Sequence, residues 1–113
     1  MTLSIYWIIA YHIKEGKVSA FKQYLGSENF QRLRRQMSEE TGIRIVETFL
    51  QTDPSSSELT DYDAWDVWEL PNYAAIDKYE GSKAQQTFFQ EYLGEFVGPS
   101  YKWITAKKLE YSE

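Results

Sequence analysis

The chain has 113 residues, 42% of them apolar, with 12 Lys and Arg against 17 Asp and Glu, so it carries a net charge of −5. That length fits one domain over residues 1–113, able to bury roughly 65% of the surface its unfolded form exposes and so to fold without staples. There is no cysteine, which excludes disulfide frameworks, iron–sulfur clusters, thiolate zinc sites and cysteine nucleophiles and fits a reducing, cytoplasmic setting.

The acidic balance opposes a nucleic-acid partner, since that needs Lys and Arg grouped to neutralise phosphates. The one basic cluster, Arg32, Arg34 and Arg35, is followed by Glu39 and Glu40 and reads as a solvated helical face with ion pairs. No membrane span is expected either. The longest apolar stretch, Ile5 to Tyr11, falls short of the roughly 20 residues required, and no basic residue precedes it as in a signal peptide. The unusual quantity is aromatic content: four Trp, nine Tyr and six Phe make 17% of the chain, enough to fill a core and still line a surface.

From Leu3 to Ile13 both parities are apolar or aromatic, which predicts a strand central in its sheet. After Lys14-Glu15-Gly16-Lys17, the spacing of Val18, Phe21 and Leu25 and then of Phe30, Leu33 and Met37 predicts an amphipathic helix interrupted near Gly26-Ser27. Thr41-Gly42 closes it, and Ile43 to Gln51 reads as a second strand. Residues 52–58 contain turn formers with no apolar anchor and read as a mobile loop.

Tyr62 to Leu70 reads as a third strand, stopped by Pro71. Asn72 is placed to cap a second helix carrying Ala75, Ile76 and Tyr79, which breaks at Gly81-Ser82 and resumes with Phe89, Leu93, Phe96 and Val97. Gly98-Pro99 is read as its terminator, and Tyr101 to Tyr111 as a fourth strand. The halves echo each other in Tyr24-Leu25-Gly26-Ser27 and Tyr79-Glu80-Gly81-Ser82. The order βαββαβ with this pseudosymmetry predicts an α+β, ferredoxin-like domain, a four-stranded antiparallel sheet with two helices on one face. Ile13 should point at the helices, leaving Tyr6, Ile8, Ala10 and His12 on the uncovered side. That side is too apolar for water, and a homodimer closing sheet on sheet would cover it.

With this order, Tyr11-His12-Ile13-Lys14-Glu15-Gly16-Lys17 followed by Phe21, and Asp66-Val67-Trp68-Glu69 followed by Ala74, Ala75 and Ser82, the chain resembles the dimeric α+β barrel superfamily, in particular its small monooxygenase branch. Phe88-Phe89 and Gly98-Pro99 fit as well. The resemblance implies pairing through the sheets, and it covers nearly the whole chain at the level of pattern. Members include cofactor-free monooxygenases of aromatic or quinol substrates, haem-degrading enzymes and isomerases. The haem-degrading branch uses an Asn in the first strand, a Trp in the third and a His on the second helix. Here the first strand has no Asn, the second helix has no His, and only Trp65 or Trp68 matches, so haem degradation is set aside.

His12 is the only histidine, so no multi-His metal site forms within one protomer, and neither metal nor cofactor is expected. Its ordinary pKa near 6.5 suits a general base inside a barrel, against the plainer role of a half-solvated residue at a strand end. Tyr6, Ile8, Trp65 and Trp103, or Trp7 and Trp68 on the opposite parity, are candidates for holding a small apolar or aromatic molecule, against service as core or dimer interface. Asp63 and Glu69 share a parity but stand about 20 Å apart along a strand, too far for one acid–base pair, and Asp66 falls on the other face. Arg44 is a candidate for a ligand carboxylate, against an ion pair with Glu47 or a neighbouring strand. The expectation is a homodimer binding such a molecule in the barrel interior. The alternatives are a cofactor-independent monooxygenase of phenols or quinols with His12 as base, and an interaction module whose aromatic face is dimer core.

Overall fold

The computed structural model describes residues 5–51 and 63–109. Strand β1 (Ile5–Ile13) is followed by helices α1 (Val18–Leu25) and α2 (Glu28–Thr41), then strands β2 (Arg44–Leu50) and β3 (Ala64–Leu70). Helices α3 (Ala74–Tyr79) and α4 (Lys83–Thr87), a π-helical turn (Phe88–Leu93), the short α5 (Gly94–Phe96) and strand β4 (Val97–Lys107) complete the order. The sheet runs β2-β3-β1-β4 with every neighbouring pair antiparallel, which places the doubly apolar β1 inside it. The architecture is α+β and ferredoxin-like. The loop expected over 52–58, the first residues of the expected first and third strands and the last of the fourth lie outside the described residues. Among the described residues no helix is long and apolar enough to cross a membrane.

Each half breaks its helix at a Gly-Ser pair, and in each the serine restarts it. Ser27 Oγ accepts the Phe30 N–H at 3.3 Å, and Ser82 Oγ accepts the Gln85 N–H at 3.0 Å, satisfying donors that the first turn of a helix leaves open. Asn72 Oδ1 does the same for the Ala75 N–H at 3.1 Å. At the far end of α2, Gly42 has φ 78°, and a Cβ there would come within 3.1 Å of Pro71 Cγ. Left-handed backbone and a close neighbour together demand glycine.

Strand parity sorts the core. Ile5, Trp7, Ile9, Tyr11 and Ile13 of β1 and Ala64, Asp66, Trp68 and Leu70 of β3 are buried beneath the helices. Against them pack Phe21 of α1, Phe30, Leu33 and Met37 of α2, and Tyr79, Phe88, Tyr92 and Phe96 from the second half. Each large side chain hidden this way contributes about 1.5–3 kcal/mol of transfer free energy.

Two expectations fail. The second helix buries Phe88, Tyr92, Leu93 and Phe96 and leaves Phe89 43% exposed, where the sequence spacing put Phe89 on the buried stripe. The buried residues Ala84, Phe88, Tyr92 and Phe96 recur every four positions. In an α-helix such a row drifts by about 40° per step, and the wider π-helical turn takes up the drift. Gly94 N–H closes this turn on Phe89 O, and a Cβ on Gly94 would meet that same oxygen at 2.9 Å. Second, β4 begins at Val97 rather than Tyr101, so Gly98 and Pro99 lie inside the strand. Proline is tolerated there because β4 is an edge strand, with a register irregularity opposite Tyr11 and Ile13.

Candidate functional site

The register divides the candidate residues between the two faces of the sheet. Tyr6, Ile8, Ala10 and His12 of β1 stand on the open face as expected, with Trp65, Val67 and Glu69 of β3, Arg44, Glu47 and Phe49 of β2, and Lys102, Ile104 and Ala106 of β4. His12 Nδ1 lies 3.4 Å from Asp63 Oδ2, which also accepts the Ile13 N–H at 3.1 Å. The histidine therefore has an orienting carboxylate that sequence spacing had weighed only as a partner for Glu69. Arg44 Nη1 donates to Glu69 Oε1 at 2.8 Å, and the Tyr6 hydroxyl donates to Glu69 Oε2 at 3.0 Å. Arg44 thus bridges β2 to β3. Between the strands lies a shallow hollow of about 360 Å³, lined by Tyr6, Ile8, Val46, Glu47, Val67, Ala106, Lys107 and Lys108.

Trp68 and Trp103 stand on the other, helix-covered face, together with Trp7. A single small molecule cannot touch these and also Tyr6, Ile8, Trp65, Arg44 and His12. The aromatic excess is concentrated here rather than shared between the faces. Trp103 contacts Trp7 at 5.0 Å between ring centroids and 86°, and Trp68 at 5.3 Å and 83°. Trp7 meets Tyr79 at 5.1 Å and 74°, and Trp68 meets Phe88 at 4.8 Å and 76°. Such steep edge-to-face pairs suit the ring quadrupoles, and Trp7, Tyr79 and Trp103 among them wall a hollow of about 260 Å³ lined also by Glu80, Gln85 and Phe89. Tyr79 is buried, and its hydroxyl finds no hydrogen-bond partner of good geometry. Burial and then the charge of Glu80 push this phenol's pKa up, with Gln85 beside it acting weakly the other way, so it stays neutral.

Beneath the rings is a polar cluster that the sequence reading missed. Asp66 is fully buried and accepts from Tyr11 Oη at 2.6 Å, Tyr92 Oη at 2.9 Å, Thr48 Oγ1 at 3.0 Å and Trp68 Nε1 at 3.3 Å. The two tyrosine hydroxyls are themselves 2.8 Å apart. Burial pushes the Asp66 carboxyl up to about 6, against the four hydrogen bonds that favour its charged form. Burial and the Asp66 charge hold both tyrosines well above the ordinary phenol range, so they act as donors. With Asp66, Tyr11, Tyr92 and Trp68 closed to solvent and Thr48 at its half-buried margin, this group braces β1, β2, β3 and the π-helical turn. Its signal in the sequence is an acid on the core parity of β3, beside Ala64 and Trp68, facing a strand whose core parity carries Tyr11. A buried carboxylate needs donors, and that tyrosine is within reach. Among the described residues no group of three or more His, Cys, Asp or Glu side chains is placed to hold a metal ion.

No family model and no curated protein matches the sequence. Solved structures do match in shape. A dabb family protein with a ferredoxin-like fold from Mesorhizobium loti is 17% identical with a TM-score of 0.64, covering 96% of this chain and 99% of its own. A candidate antibiotic biosynthesis monooxygenase from Nitrosomonas europaea is 14% identical with a TM-score of 0.62, covering 96% of this chain and 93% of its own. A dimeric protein of unknown function and ferredoxin-like fold from Bacteroides fragilis is 13% identical with a TM-score of 0.60, covering 93% and 96%. The chain therefore has the ferredoxin-like fold described for the Mesorhizobium loti and Bacteroides fragilis structures.

Proposed function

We propose that the protein is a cytoplasmic homodimer, closed sheet face on sheet face, in which each subunit holds a small, flat, largely apolar molecule in the helix-side hollow. The observation that carries the binding reading is the corner of Trp7, Trp103 and Tyr79, a concave aromatic wall with a few polar groups at one end. It moves the expected ligand from the space between the sheets to the helix side.

The dimer reading is supported by Ile8, Trp65, Val67, Phe49 and Ile104, apolar groups on a face no helix covers, and by the described dimer from Bacteroides fragilis. On that face Arg44 of β2 is paired with Glu69, and the further charges at its two edges are opposite in sign, Glu47 on β2 and Lys102 on β4. A two-fold axis running along the strands would lay one edge on the other.

Two measurements test these readings. Sedimentation at micromolar concentration should give twice the mass of the 113-residue chain, and a monomer would sink the dimer. Titration with 4-tert-butylphenol should change the tryptophan fluorescence saturably in the wild type and much more weakly in Trp103→Ala. A dimer without such binding would favour the interaction module.

A second reading, cofactor-independent oxygenation of a phenol or quinol, is favoured by the name of the Nitrosomonas europaea structure and by the His12–Asp63 pair. Oxygen uptake with hydroquinone tests it. Uptake that His12→Ala leaves unchanged would remove His12 from the mechanism.

A further inference from the structure

The helix-side hollow has a second property besides its shape. Of its six lining residues four are aromatic, one is Glu80 and one is Gln85, and no Lys or Arg is among them. The one ionised group lining the space is thus a carboxylate, beside the π surface of four rings. The Glu80 carboxylate is exposed, while its charge is felt by the buried Tyr79 hydroxyl. Gln85 Oε1 is already engaged, accepting the Gly81 N–H at 2.7 Å, so its carbonyl is not what a ligand would meet first.

Rings set at steep angles around a corner, with a carboxylate at its mouth, are the chemistry that recognises organic cations. The faces of Trp and Tyr attract positive charge, most strongly where water is excluded. A neutral ligand would gain only apolar contact from the same walls, and an anion would meet Glu80. We propose that this hollow selects an aromatic or alkyl ammonium cation, its charged group held against the Trp7, Trp103 and Tyr79 rings and balanced by Glu80. This rests on the reading of the hollow as a ligand site and narrows it to one class.

Two probes of the same shape test it. (4-Hydroxyphenyl)trimethylammonium and 4-tert-butylphenol differ in charge and little else, and both can be titrated into the full chain by isothermal calorimetry at low salt. The cation should bind about tenfold more tightly. Glu80→Gln, at an exposed position where folding is not at stake, should weaken the cation several-fold and leave the phenol unchanged. Trp103→Ala should weaken both. Equal affinity for the two probes, or a cation affinity indifferent to Glu80→Gln, would overturn the selectivity while leaving the ligand site standing. Binding of neither probe would overturn both.

Discussion

The two faces of the sheet each hold a carboxylate of β3, and they treat it differently. On the helix side Asp66 is sealed from water and takes hydrogen bonds from four side chains on four elements. On the open side Glu69 takes two, from Tyr6 and Arg44, and water reaches the rest. Burial makes the first a fixed joint whose charge is costly. Exposure leaves the second a weak tie that solvent can replace. A strand three residues further along its own pleat thus passes from structural chemistry to surface chemistry.

The sharpest way to break this contrast is to remove the ring that caps the helix-side joint. Trp68 is fully buried, touches Trp7, Tyr79, Phe88 and Trp103, and donates to Asp66. Trp68→Ala should cost about 3–5 kcal/mol in urea unfolding, whereas Trp65→Ala on the open face should cost far less in the monomer.

Acidity gives the next effect. Folding raises the Asp66 pKa from 3.8 to about 6, so the folded chain holds this proton more tightly than the unfolded one. The site therefore stabilises the fold most below pH 4, and that contribution is lost as pH rises through about 6. The full difference corresponds to about 3 kcal/mol. Measured by urea unfolding at pH 4 and pH 7, the stability of the wild type relative to Asp66→Asn should be greater at the lower pH. A gap independent of pH would mean that Asp66 is not the buried acid described.

Smaller effects follow at the caps and the surface. Ser27→Ala and Ser82→Ala should each cost about 1 kcal/mol in thermal unfolding, and similar values would show that the two halves use the same device to equal effect. Arg44→Ala should cost under about 1 kcal/mol in dilute monomer. A larger cost appearing only at concentrations where the protein dimerises would put the Arg44–Glu69 pair inside the interface.

The parity of the strands was legible because a period of two is written in the chain itself. Ile9, Tyr11 and Ile13 could be assigned to the core, and Tyr6, Ile8 and His12 to the open face, from β1 alone. The breaks at Gly26-Ser27 and Gly81-Ser82 were legible because glycine and serine there act on their immediate neighbours. The Asp66 cluster was not, since Tyr11 and Tyr92 lie 55 and 26 residues from Asp66 and meet it only through the packing of strand and helix. Trp103 was grouped with Tyr6 and Trp65 because parity within β4 gives no hint of which set faces the helices. Its pairing with Ile9 decides that. The early start of β4 was hidden behind Gly98-Pro99, residues that end a helix in most contexts and are accommodated here by an edge.

The π-helical turn gives the second half a property the first half lacks. In an ordinary helix such as α2, loss of one residue turns everything beyond it by about 100° and takes its buried stripe off the sheet. Here the Gly94 N–H reaches five residues back to Phe89 O, one more than an α-helix spans. Loss of one residue between them would make the same bond an ordinary α-helical one and leave the segment beyond it close to its present facing. The extra residue in this stretch is thus slack that α2 lacks, and a one-residue deletion here should cost the fold less than one within α2.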